Sequence, residues 1–198
     1  MIHKRESSIY KRKSSIVKLC LAVAFAMTIM GGTYYYVRYA NVAVQGPISE
    51  YQASRDKAEI LAFFKTELYW LSANPDYDAE YMLDHRAPNK ENQRYYGEMQ
   101  IKVLRENDQF IGFVAYYKRT FDEGFLNFVC IKPHMRGKRY AEQLMRYAED
   151  DLRAMGVHRI RLLTRTINHR ARALYMRMGY TVVELDEAGG FVYFLKLV

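Results

Sequence analysis

Between residues 136 and 141 the chain reads Arg136-Gly137-Lys138-Arg139-Tyr140-Ala141. The segment lies between a strand-like run that Pro133 breaks and a run with helical spacing that starts near Tyr140. Backbone N–H groups and the positive end of a helix dipole converge at such a junction, which is the chemistry of anion binding and suits a pyrophosphate. Gly137 and Ala141 are small enough to let a ligand approach the backbone, while Arg136, Lys138 and Arg139 add positive charge at the same place. By itself a basic loop ahead of a helix is more often a solvated turn, so a second element has to give it meaning.

That element is Asn168-x-x-Ala171-x-x-Leu174-Tyr175-x-x-x-Gly179-Tyr180, which follows the next strand. Together with the basic loop it resembles the GNAT acetyltransferase superfamily, with six specified positions matched over thirteen residues. The resemblance extends from about Ile48 to Val198 and leaves an apolar leader outside it. It implies an N-acetyltransferase that uses acetyl-CoA as cosubstrate, bound where two neighbouring strands splay apart, and an amine acceptor attacked directly. The family loop reads Gln/Arg-x-x-Gly-x-Gly/Ala; Arg136 and Ala141 match it, and Arg139 replaces the middle glycine. What the resemblance implies for this chain is phosphate binding by Arg136, Gly137, Lys138, Arg139, Tyr140 and Ala141. The same resemblance implies that backbone groups of Cys130 and Ile131 hold the pantetheine arm like an added strand. Asn168 would contact the cofactor or fix the loop, and Tyr175 would protonate the departing thiolate. A residue such as Arg139 keeps its N–H available to phosphate if its backbone stays helical.

A general base is harder to assign. An amine is protonated near neutral pH and must lose a proton before it attacks. Positions where relatives often carry Glu hold Asn127 and Leu163, and neither can take a proton. Glu98, Glu123 and His134 remain, beside a water relay. A reading from another class is a catalytically degenerate, membrane-tethered acyl-CoA-binding module, favoured by Arg139 and the missing carboxylates and opposed by the intact Tyr175 motif. Cys20 and Cys130 are far apart and the first sits in an apolar run, which argues against a disulfide framework or a cysteine zinc site, so no metal is expected.

The elements that must position these residues are legible from their periods. With 198 residues, 50% of them apolar and 26% charged, the chain has room for one ordinary domain and an appendage. Ile48 to Tyr51 reads as a short strand; Ile60, Leu61, Phe63, Phe64, Leu68 and Leu71 recur at helical intervals, with Asp56 and Glu59 near the start. A shorter helix is expected over 77–85, then an antiparallel meander from runs near 99–104, 110–117 and 125–131. A helix from Tyr140 capped at Gly156, a strand over 159–164, a helix over 168–178 and a hairpin of 180–185 with 191–197 complete the order. The fold class is α/β (α+β), a GNAT-like mixed, mostly antiparallel central sheet with flanking helices, preceded by one transmembrane helix.

That last expectation rests on residues 19–37, where no charged side chain occurs; as a helix they would span roughly 28 Å, close to a bilayer core. Lys11, Arg12, Lys13 and Lys18 precede the run, and Tyr34 to Tyr36 with Arg38 close it. The resulting division is a basic segment 1–18, a single-pass membrane anchor 19–37, a linker 38–46 and an acetyltransferase-like domain 47–198. The positive-inside rule would send that domain out of the cytoplasm, against the ordinary location of acetyl-CoA. Residues 1–18 carry six Lys/Arg against one Glu, and residues 132–177 carry twelve basic against four acidic side chains. Two separated basic regions argue against one continuous nucleic-acid surface.

Overall fold

The computed structural model describes residues 48–89 and 96–198. The anchor expected at 19–37 and its flanks lie outside the described residues. Among the described residues no helix is long and apolar enough to cross a membrane.

Among the described residues seven strands form one sheet in the order β1-β2-β3-β4-β5-β7-β6. They are β1 (Ile48–Glu50), β2 (Tyr96–Glu106), β3 (Gln109–Lys118), β4 (Glu123–Ile131), β5 (Arg159–Arg165), β6 (Thr181–Asp186) and β7 (Phe191–Leu197). Four helices of the described residues flank them: α1 (Ala53–Leu71), α2 (Ala79–His85), α3 (Tyr140–Ala154) and α4 (His169–Arg177). The meander, the strand-helix-strand-helix unit and the closing hairpin expected from the periods are all present.

Alternation along the strands divides the core between two faces of the sheet. Ile60, Phe63 and Phe64 of α1 and Met82 and Leu83 of α2 cluster with Phe113, Phe128 and Cys130 on one side. Leu144, Met145, Ala148 and Leu152 of α3 and Tyr175 of α4 cluster with Val114, Leu126, Ile160 and Phe194 on the other. The start of α1 is fastened by Asp56, fully buried, which accepts from the Gln52 N–H at 2.8 Å and from Arg105 Nη2 at 2.5 Å. Burial by itself would push the Asp56 carboxyl up, but hydrogen bonds from Arg105, Gln52 and Arg55 outweigh it and hold the group below its ordinary value.

One junction in the sheet differs from the rest. Every neighbouring pair is antiparallel except β4 and β5, which run parallel and pair only at Glu123↔Arg159, Gly124↔Ile160 and Phe125↔Arg161. Beyond Phe125 the two strands diverge, while β4 stays paired with β3 as far as Ile131. The β5-facing edge of β4 therefore carries backbone polar groups with no ladder partner, and such groups need another partner.

Candidate active site

A β-bulge marks where the strands part. Ala115 pairs with Phe128 and Tyr116 with Leu126, so Asn127 is the extra residue on β4. A bulge bends its strand and re-aims side chains, and this one lies two residues beyond the last β4–β5 pair, Phe125↔Arg161. The opening is a cavity of about 860 Å³ whose wall includes Asn127 to Ile131 from β4, Leu163 and Thr164 from β5, and Tyr175 from α4.

The loop ahead of α3 forms one end of this cavity. Gly137 has φ 83° and Arg139 has φ 65° with ψ 12°, so two left-handed residues flank Lys138. Alternation of this kind turns successive N–H groups inward into an anion-binding nest, and it adjoins the N-terminus of a 15-residue helix. Arg139 is thus left-handed rather than helical, a conformation that disfavours an L-residue by about 1–2 kcal/mol and that the family glycine would adopt freely. Gly137, Arg139, Tyr140 and Ala141 lie on the wall; Lys138 does not, and its Nζ lies 3.8 Å from Met135 Sδ. Tyr140 is buried, with its hydroxyl donating to Glu106 at 2.9 Å. Arg136 borders the cavity but spends its guanidinium elsewhere: Nε donates to the Ile131 carbonyl at 2.9 Å and Nη2 pairs with Glu67 Oε2 at 3.2 Å.

Asn168 caps α4, its Oδ1 accepting from the Ala171 N–H at 3.2 Å, which explains the Asn-x-x-Ala spacing as local helix chemistry. The cap aligns the helix so that Tyr175, two turns on, reaches the cavity wall. Tyr175 is 9% exposed, and among the described residues its hydroxyl forms no hydrogen bond. Burial, and to a lesser degree the nearby Cys130, pushes its phenol well above the ordinary tyrosine value, so the group stays protonated at neutral pH. Burial likewise pushes the Cys130 thiol up, against the lowering effect of Arg136, and a protonated buried thiol is a poor nucleophile.

None of the three side chains that the sequence suggests as bases reaches the wall. Glu98 and His134 are solvent-exposed. Glu123 is buried at the far, paired end of β4, facing Arg119, Arg159 and Arg161 at 3.4, 3.2 and 3.7 Å. Among the described residues, the carboxylates on the wall are Glu67 of α1 and Glu142 of α3. Glu67, Trp70, Thr164, Arg170 and Arg177 are wall residues that motif reasoning missed. The intervals from Phe63 to Glu67, Trp70 and Leu71 could have revealed one stripe of α1, but not that this stripe faces the opening.

The Acetyltransferase (GNAT) family model matches residues 61–180. A protein of Bacillus subtilis (strain 168), described as the uncharacterized N-acetyltransferase YhfO, is 32% identical over 105 residues, which are 49% of this chain and 65% of that protein. The match thus spans just under two thirds of that relative. Among solved structures, Ard1 from Thermoplasma volcanium superposes with a TM-score of 0.61 at 18% identity, over 78% of this chain and 99% of that one. The PaiA N-acetyltransferase from Thermoplasma acidophilum, solved in complex with coenzyme A, gives 0.59 at 15% identity, over 77% and 98%. These two likenesses are of fold. With the family model matched across the β4–β5 opening, the loop of residues 136–141 and the Tyr175 helix, the chain belongs to the acetyltransferase (GNAT) family.

Proposed function

We propose that the protein is an acetyl-CoA-dependent N-acetyltransferase in which an amine attacks the thioester directly and Tyr175 is the general acid. The observation that carries this reading is the protonated, buried Tyr175 on the wall of the same cavity that the left-handed loop and the open β4 edge form. The residues present suit the cosubstrate: the nest at 137–139 and the α3 N-terminus for its phosphates, with Arg139 and Arg170 beside them, and the β4 edge up to Cys130 and Ile131 for its pantetheine arm. The Ile131 carbonyl already accepts from Arg136, so in this reading Arg136 orients the end of β4.

The cosubstrate supplies an activated acyl thioester. The acceptor ammonium gives up one proton, its nitrogen bonds to the acyl carbon, the carbon–sulfur bond breaks, and Tyr175 protonates the sulfur and regains a proton from the new amide nitrogen. Overall an ammonium and acetyl-CoA yield an amide, CoA thiol and one proton. The neutral Cys130 thiol favours this direct route over an acyl-cysteine.

Calorimetric titration of acetyl-CoA, beside thiol-release assays on Tyr175→Phe, tests the reading. Micromolar binding by both proteins with turnover lost in the variant supports it, and absence of binding by the folded chain overturns it. Binding without turnover for any amine would support instead the degenerate acyl-CoA-binding module, which the Asn127 and Leu163 side chains favour. The reading includes residues 19–37 as a single-pass anchor on a membrane face with access to acetyl-CoA, supported by their charge-free run. Release of the protein from membranes by alkaline carbonate would exclude that anchor.

A further inference from the structure

The cavity wall on the α1 side narrows the class of acceptor, an inference that rests on the acetyltransferase reading above. Phe63, Glu67, Trp70 and Leu71 all line the cavity from one stripe of α1. Ile167, in the connection from β5 to α4, lines it as well. Trp70 is 45% and Ile167 54% exposed, and Tyr69 stands edge-on to Trp70 with ring centroids 5.0 Å apart. Large apolar side chains left open on the wall of a cavity are the surface a ligand covers. They are held in place. Arg165 Nε donates to the Tyr69 carbonyl at 2.5 Å, Nη2 donates to the Ser72 carbonyl at 3.2 Å, and the guanidinium lies 3.9 Å from the centre of the Tyr69 ring. One side chain thus ties the end of α1, which carries Trp70, to the end of β5, which leads to Ile167.

Charge narrows the acceptor further. Of the two carboxylates among the described wall residues, Glu142 pairs with Arg177 at 3.4 Å and Glu67 with Arg136 at 3.2 Å. Arg136, Arg139, Arg170 and Arg177 outnumber them on the wall. A polyamine would need a carboxylate for each ammonium it brought out of water, and the described residues of this wall supply only these two, both already paired with arginine. A single ammonium can be served, because Arg136 engages Oε2 of Glu67 and a carboxylate has lone pairs for a second donor.

From this juxtaposition we infer that the acceptor is a primary amine on a large apolar body, aromatic or branched aliphatic, with its ammonium at Glu67 and its body against Trp70 and Ile167. Trp70 is the single tryptophan of the chain, so its fluorescence reports occupancy without any chemistry. In the full chain, with and without CoA, 2-phenylethylamine changes the Trp70 emission saturably and spermidine does not. Ile167→Ala, at an exposed position, weakens the response to 2-phenylethylamine about tenfold. Glu67→Gln weakens it by a similar factor while leaving the response to uncharged 2-phenylethanol unchanged, a pattern that mere loosening of α1 would not produce. A stronger response to spermidine than to 2-phenylethylamine, or no response to 2-phenylethylamine in either state, overturns the inference. A saturable amine response without CoA binding or thiol release upholds this site and overturns the transferase reading instead.

Discussion

The two ends of β4 are built from one strand and behave oppositely. At its start Glu123, buried, faces three arginines, the strand pairs with β5, and the His158 and Arg159 N–H groups donate to the Asp122 carbonyl at 2.9 and 3.2 Å. Toward its end, eight residues and roughly 26 Å of extended chain away, the pairing with β5 has stopped and the edge borders a cavity. At the closed end the Glu123 carboxylate and the ladder groups find their partners within the protein. At the open end the backbone groups face the cavity, and the nearby cations, Arg136 and Arg165, fasten α1 across it. Stability and ligand contact are thereby separated along a single strand, so changes at one end should leave the other largely intact.

The largest test of that separation is Tyr175→Phe, which removes one hydroxyl from the open end. We expect kcat to fall about 10²–10³-fold with the acetyl-CoA Kd and the Tm unchanged, read by thiol release, calorimetry and thermal melting. A matching loss of stability would mean that the phenol is a packing group and that the two ends are not independent. The reverse experiment is Glu123→Ala, which removes the buried carboxylate shared by Arg119, Arg159 and Arg161 and leaves Arg159 with Asp122 at 3.5 Å and Arg161 with Glu184 at 3.8 Å. Because those guanidiniums are partly in water, denaturant unfolding should show a loss of about 2–3 kcal/mol, below the range for a fully buried pair. Acetyl-CoA affinity should change little as long as the chain is folded.

Arg139→Gly is expected to have a smaller effect, and a favourable one. Relief of the left-handed strain, offset by the greater chain entropy of glycine, should stabilise the protein by up to about 1 kcal/mol, whereas Arg139→Ala should not stabilise it. Equal Tm values for the two variants would show that the loop relaxes without strain. The smallest expected effect is in the pH profile. A free phenol ionises near pH 10, but burial holds the Tyr175 proton above that value, so the acid form survives as pH rises through 10. The kcat profile at saturating amine should accordingly show no descending limb at pH 10, and a limb centred there would place the catalytic proton on an exposed group.

The order of elements was readable because period-2 and period-3.6 patterns are local, and element ends moved by only a few residues. α1 begins at Ala53 with Asp56 in its first turn, as the sequence suggests, and that carboxylate reaches back to the Gln52 N–H and is buried with Arg105. The loop of residues 136–141 and the Asn168-to-Tyr175 unit were readable for the same reason: a nest and a cap are built within a few residues. Arg139 was not fully readable, since a side chain does not announce a positive φ. Arg136 was read as a phosphate ligand from its motif position, and its engagement with Ile131 and Glu67 depends on where α1 passes.

Local chemistry in the chain thus determined the strands, the helices, the loop and the placing of a tyrosine on the helix after β5. Tertiary structure decided which end of β4 opens, which carboxylates reach the cavity and which apolar side chains stand open on its wall. Glu67 and Arg136 are 69 residues apart, and Arg165 is 96 residues from Tyr69. Contacts at that separation leave no periodic trace in the sequence, because they exist only after the α1 face and the sheet have been buried against each other.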